Sequence, residues 1–105
     1  MSTAERLAEL FKALSNPIRL KILALCYTRE RTSRELREVL GISKPLLIAH
    51  LRKLMELGLI EYRVVFDEER VVAMKVYRTP RNLRLCIDGN LLSKIAKEIE
   101  ESDRT

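Results

Sequence analysis

The sequence predicts a mainly helical α+β domain carrying a single β-hairpin. Three observations support this. Apolar residues recur at helical spacing over most of the chain, and two short helices flank a tight turn between Thr32 and Gly58. Straight after Gly58 the period drops to two. A hairpin placed directly behind a helix-turn-helix is a wing, so the expected architecture is a winged helix-turn-helix, one domain over residues 1–105.

Taken in order, Ser2 and Glu5 have capping-box spacing, and Leu7, Leu10, Phe11 and Leu14 form an i, i+3, i+4, i+7 stripe over about residues 3–15. Asn16-Pro17 starts a second helix, with Asn as cap and Pro in the first turn. Ile18, Ile22, Leu25 and Cys26 share a face there, widened by Leu20 and Leu23, which predicts a central helix. Arg29, Glu30 and Arg31 read as a polar exit. Thr32 and Glu35 cap a short third helix that stops at Gly41, where a left-handed residue is wanted. Ser43 caps a fourth, with Pro45 in its first turn and Leu47, Leu51 and Leu54 on its inner side. Ile60, Tyr62, Val64 and Phe66 then alternate with Glu61, Arg63 and Val65, and a β-branched run follows from Val71 to Tyr77. The tip Asp67-Glu68-Glu69-Arg70 joins these two strands. Leu83, Leu85 and Ile87 alternate with Arg84 and Cys86, which predicts a short extra strand. Leu91, Leu92, Ile95 and Ile99 give a last amphipathic helix to about Glu101.

The net charge of +5 suits a polyanionic partner without requiring one. No apolar run approaches membrane-spanning length, and no basic segment precedes an apolar one near the start. Both predict a cytoplasmic protein with no membrane partner. Glutamine is absent and Arg, Glu and Lys are abundant, a pattern of heat-adapted sources. An enzyme is not expected. There is no nucleophile–base pair, no phosphate-cradling loop and no metal cluster, and the three glycines stand at helix or turn boundaries.

The stretch from about Leu10 to Tyr77 resembles the ArsR family of winged-helix transcriptional regulators. The phrases that carry the likeness are L-x-N-P-x-R-L-x-I-L, here from Leu14 to Leu23, and L-x-x-L-x-x-x-G-L-I, here Leu51 to Ile60. The resemblance implies a homodimer paired through its first and last helices and bound to double-stranded DNA at palindromic operators, with an archaeal or thermophilic source in view of the composition. Many members release DNA on binding a metal or metalloid. Thr32 and Arg34 stand where metal-sensing members carry a Cys-x-Cys pair, and the last helix offers Glu98, Glu100, Glu101 and Asp103 but no histidine. No metal site and no cofactor are therefore expected, and the effector is unspecified.

On this reading Ser43, Lys44, Arg52, Lys53, Arg63 and Arg70 supply phosphate contacts, and Leu46, Ile48 and Ala49 face bases, where apolar groups can touch thymine methyls. His50 is expected on the flank of that surface, hydrogen-bonded and within reach of phosphate. An apolar outer arc and an acidic wing tip also fit a winged helix that holds a protein partner, not DNA. Leu7, Leu10, Phe11, Leu14, Leu91, Leu92, Ile95 and Ile99 are the expected dimer surface, which would set two reading helices about 34 Å apart. Cys26 reads as a small buried hydrophobe. A Cys26–Cys86 bridge, or a Cys86–Cys86 bridge across a dimer, is a further expectation.

Overall fold

The computed structural model describes residues 1–103. The order is helix α1 (Thr3–Leu14), α2 (Pro17–Thr28), strand β1 (Arg31–Thr32), α3 (Ser33–Leu40), α4 (Lys44–Glu56), β2 (Glu61–Asp67), β3 (Val72–Arg78) and α5 (Gly89–Asp103). The strands form one antiparallel sheet in the order β1-β3-β2. This is the winged helix-turn-helix.

Local chemistry sets the helix ends. Asn16 Oδ1 accepts from the Ile18 and Arg19 N–H groups and so satisfies orphan donors at the start of α2. Thr32 and Glu35 complete a reciprocal capping box on α3, and Gly41 ends it at φ 66°. Behind α4, the Gly58 N–H donates to Met55 C=O and the Leu59 N–H to Leu54 C=O, with Gly58 at φ 71°. That is a Schellman turn. Its flanking apolar pair, Leu54 and Leu59, is buried. It turns the chain from α4 straight into the wing.

The core gathers Leu14, Ile22, Leu23, Cys26, Leu36, Leu47, Leu51, Leu54, Leu59, Ile60 and Tyr77. Full burial of such a side chain is worth about 1.5–3 kcal/mol. Leu20 stands outside it, 51% exposed, so α2 is less enveloped than its composition suggests. The apolar set of β2 is exposed as well. Tyr62, Val64 and Phe66 lie on a hairpin that projects beyond the core.

Two expectations for the sheet are corrected. The third strand is β1, which begins on the last residue of the stretch read as a polar exit and takes in the cap Thr32, with Arg31 paired to Tyr77 and Thr32 to Val76. Arg31 is held there by its own donors, Nε to Leu25 C=O and Nη2 to Thr28 Oγ1. Residues 83–87 form no strand. Thr79 diverts the chain before it can return to the sheet. Its N–H donates to Cys26 C=O at 3.1 Å, and its buried hydroxyl donates to Leu23 C=O at 2.8 Å. Leu83 then turns back onto Pro80 C=O, and Leu85 and Ile87 stay exposed.

Helix α5 has no buried side chain among the described residues. It meets α1 at one crossing, where the Thr3 N–H and Oγ1–H both donate to the Glu98 carboxylate, at 3.2 and 2.7 Å.

Candidate nucleic-acid interface

The candidate reading surface is built on α4. Leu47, Leu51 and Leu54 point inward and are almost fully buried, which fixes the opposite arc outward. Ser43, Lys44, Leu46, Ala49 and Arg52 are exposed on that arc, and Ile48 and Lys53 are half-buried at its margins. Ser43 Oγ accepts from the Leu46 N–H and heads the helix. The expected contact residues of α4 thus share one face, with a single exception.

The exception is His50. It is 7% exposed and turned toward the body, where its Nδ1 accepts from Arg19 Nε at 3.0 Å. It is buried behind the outer arc and not on it, and the hydrogen bond expected of it is made to Arg19. Burial, and secondly the Arg19 guanidinium, hold its imidazole below the usual histidine value.

The wing divides the two arginines assigned to it. Arg63 makes a two-pronged ion pair with Glu30, Nε to Oε2 at 2.7 Å and Nη2 to Oε1 at 2.8 Å. The hydrogen bond from Arg63 lowers the Glu30 carboxyl from its ordinary range. Arg63 therefore ties the hairpin to the α2–β1 corner, whereas the sequence alone leaves it free for phosphate. Arg70 stays exposed at the tip, its Nε 3.9 Å from Asp67 Oδ2. The Asp67 side chain also accepts from the Glu69 and Arg70 N–H groups, so the acidic residue shapes the turn. Val71 closes the turn at φ 54°, an unusual conformation for a β-branched residue.

Between α3, the start of α4 and the hairpin lies a concave space of about 750 Å³, with Arg34, Glu38, Ile48, Asp67, Arg70 and Lys75 among its lining residues. It joins the margin of the α4 arc to the wing. Arg34, which pairs with Glu38 at 3.0 Å, also lines this space. Lys75 sits over the Tyr62 ring, 4.5 Å from its centroid.

The expected dimer residues also divide. Leu14 belongs to the monomer core at 8% exposure, a correction to its assignment. Leu7, Leu10, Leu91 and Ile95 are half-buried, whereas Phe11, Leu92 and Ile99 are exposed. Cys26 is buried and Cys86 exposed, and both are free, so the intrachain bridge is absent. Burial pushes the Cys26 thiol up to about 12. Among the described residues no three His, Cys, Asp or Glu side chains converge as a metal site would require, and no helix is long and apolar enough to cross a membrane.

Comparison with known proteins places these features. Residues 16–62 match the family described as bacterial regulatory protein, arsR family. The chain is 36% identical over 84 residues to an uncharacterized HTH-type transcriptional regulator of Methanocaldococcus jannaschii, covering 80% of this chain and 85% of that one. It is 43% identical over 56 residues to a probable mercury resistance operon repressor of Streptomyces lividans, covering 53% of this chain and 45% of the relative. Among solved structures, an ArsR-like transcriptional regulator from Rhodococcus sp. RHA1 superposes with a TM-score of 0.64 at 27% identity, over 99% of this chain and 84% of that one.

Proposed function

Since the chain belongs to the arsR family of helix-turn-helix transcriptional regulators, and so is a DNA-binding regulator, we propose that it works in the cytoplasm as a homodimeric repressor. Helix α4 enters the major groove and the β2–β3 hairpin lies alongside. The observation that carries this is the division of α4 into a buried leucine face and an exposed face bearing Leu46, Ala49 and Arg52. Lys44, Arg52, Lys53 and Arg70 contact phosphates, and Leu46, Ile48 and Ala49 meet thymine methyls, which favours an A/T-containing half-site.

Pairing rests on α1 and α5. Among the described residues helix α5 has no fully buried side chain within one chain and exposes Leu92 and Ile99, and α1, which it crosses, exposes Phe11. A second copy related by a two-fold axis covers such a face and sets two α4 helices on successive major grooves. The sign of regulation follows the Streptomyces relative, named a repressor.

Selection of bound fragments from a random duplex pool tests the reading. The expected outcome is an inverted repeat with half-sites one helical turn apart, carrying two chains per duplex by sedimentation. No enrichment, or an asymmetric site holding one chain, overturns it. Placing the recovered site in a promoter is expected to lower transcription when the protein is added, and a rise overturns the repressor assignment.

A further inference from the structure

Leucine packing holds α4 to the body, and so does one polar clasp. His50 Nδ1 accepts from Arg19 Nε at 3.0 Å, and the same guanidinium donates through Nη1 to Ala13 C=O at 3.1 Å. Arg19 is itself placed by the cap of its own helix, where its N–H donates to Asn16 Oδ1. One side chain on α2 therefore ties the last turn of α1 to the middle of α4.

We propose that Arg19 and His50 are positioning residues for DNA recognition, fixing the orientation of α4 against α1 and hence the separation of the two reading faces in the dimer. This rests on the reading that α4 enters DNA and that α1 lies at the dimer end. Burial of Leu47, Leu51 and Leu54 sets which face of α4 points outward, but it is non-directional and leaves small rotations about the helix axis to other contacts. A hydrogen bond specifies direction. Rotation of α4 would carry Leu46 and Ala49 sideways relative to any base they touch.

The clasp requires one protonation state. Nδ1 accepts only when the imidazole is neutral with its proton on Nε2. A second proton removes the acceptor and sets a cation against the Arg19 guanidinium, the charge that faces His50 from α2. Glu9 and Lys12 of α1 and Lys53 of α4 line the surface depression on which Arg19 also borders. Since burial and Arg19 hold the imidazole below its usual value, the clasp is closed at neutral pH and opens on acidification. His50 is the single histidine of the chain, so a pH profile in that range reports on it.

The test compares the full chain with His50→Asn, whose Oδ1 replaces Nδ1 and does not titrate, and with His50→Leu, which offers no acceptor. Binding is read by fluorescence anisotropy on a duplex recovered from the random pool, from neutral pH down to the onset of acid unfolding as followed by circular dichroism. His50→Leu is expected to lose about tenfold or more in affinity at neutral pH, as for one hydrogen bond to a charged donor. His50→Asn keeps the affinity and flattens the pH profile, while the unaltered chain weakens on acidification. Equal binding by His50→Leu, or an unaltered chain whose profile matches that of His50→Asn, overturns the proposal.

A second arm needs no DNA. ¹⁵N correlation of the imidazole at neutral pH is expected to show the Nε2–H tautomer. Amide exchange along α4 is expected to quicken in His50→Leu and not in His50→Asn. The other tautomer, or unchanged exchange in both variants, overturns the clasp. If the pool yields no duplex, the DNA-binding reading fails separately while this arm still decides.

Discussion

Arg52 and Arg63 are both exposed arginines, yet their surroundings predict opposite behaviour on DNA. Arg63 is held by both prongs of its guanidinium on Glu30. Arg52 stands on the outer arc of α4. Each phosphate neutralised by a cation steepens the dependence of log affinity on log salt by about 0.9. With Lys44, Arg52, Lys53 and Arg70 engaged in each copy, a dimer should show a slope of about −7. Arg52→Ala removes two contacts per dimer and should flatten the slope by about 2, whereas Arg63→Ala should leave it unchanged. The Arg63 pair is exposed, so its loss should leave stability nearly unchanged. Anisotropy titrations of a labelled duplex between about 50 and 200 mM salt cover the needed range. A slope flattened as much by Arg63→Ala as by Arg52→Ala would refute the partition of the two residues.

Three further outcomes are expected. Val71→Gly should raise stability by up to about 1 kcal/mol in thermal or denaturant unfolding, because Val71 is exposed and sits at a positive φ that costs a β-branched side chain; a loss of stability would mean that the turn is unstrained. Alkylation of the folded protein at mildly alkaline pH should modify Cys86 and spare Cys26, whose burial raises its thiol to about 12, and equal labelling of both would contradict that burial. The hydrogen bonds from Thr3 lower the Glu98 carboxyl, so this contact favours the folded state above the ordinary glutamate range and is lost as pH falls through the lowered value. The protection factor of the Thr3 amide, the exchange rate corrected for its intrinsic pH dependence, should therefore fall as pH drops through the lowered value in the native chain and stay level in Glu98→Gln, with identical profiles counting against the contact.

Much of the architecture was legible because local rules and global packing agree. The caps at Asn16, Thr32 and Ser43, and the stops at Gly41 and Gly58, all act where their residue types predict. The failures share a cause, since each depends on partners distant in sequence. Strand β1 is two residues long and has no period to detect; it exists because β3 offers an edge. Residues 83–87 alternate well enough to be a strand, but Thr79 commits the chain to the end of α2. On α4, helical phase places Leu46, Ala49 and Arg52 on the exposed face. It cannot tell that Arg63 meets Glu30, 33 residues away, or that His50 meets Arg19 across 31 residues.

Helix α5 has a consequence for how this molecule responds to dilution. A 15-residue helix is marginal in water unless something covers its apolar stripe, and inside one chain little does. If a second copy supplies that cover, the two events of winding α5 and joining the copies become one equilibrium, governed by concentration. Thinning the solution should then unravel this end of the protein first and leave the Ile22–Leu36–Leu51 centre intact, so that helicity itself becomes a gauge of assembly.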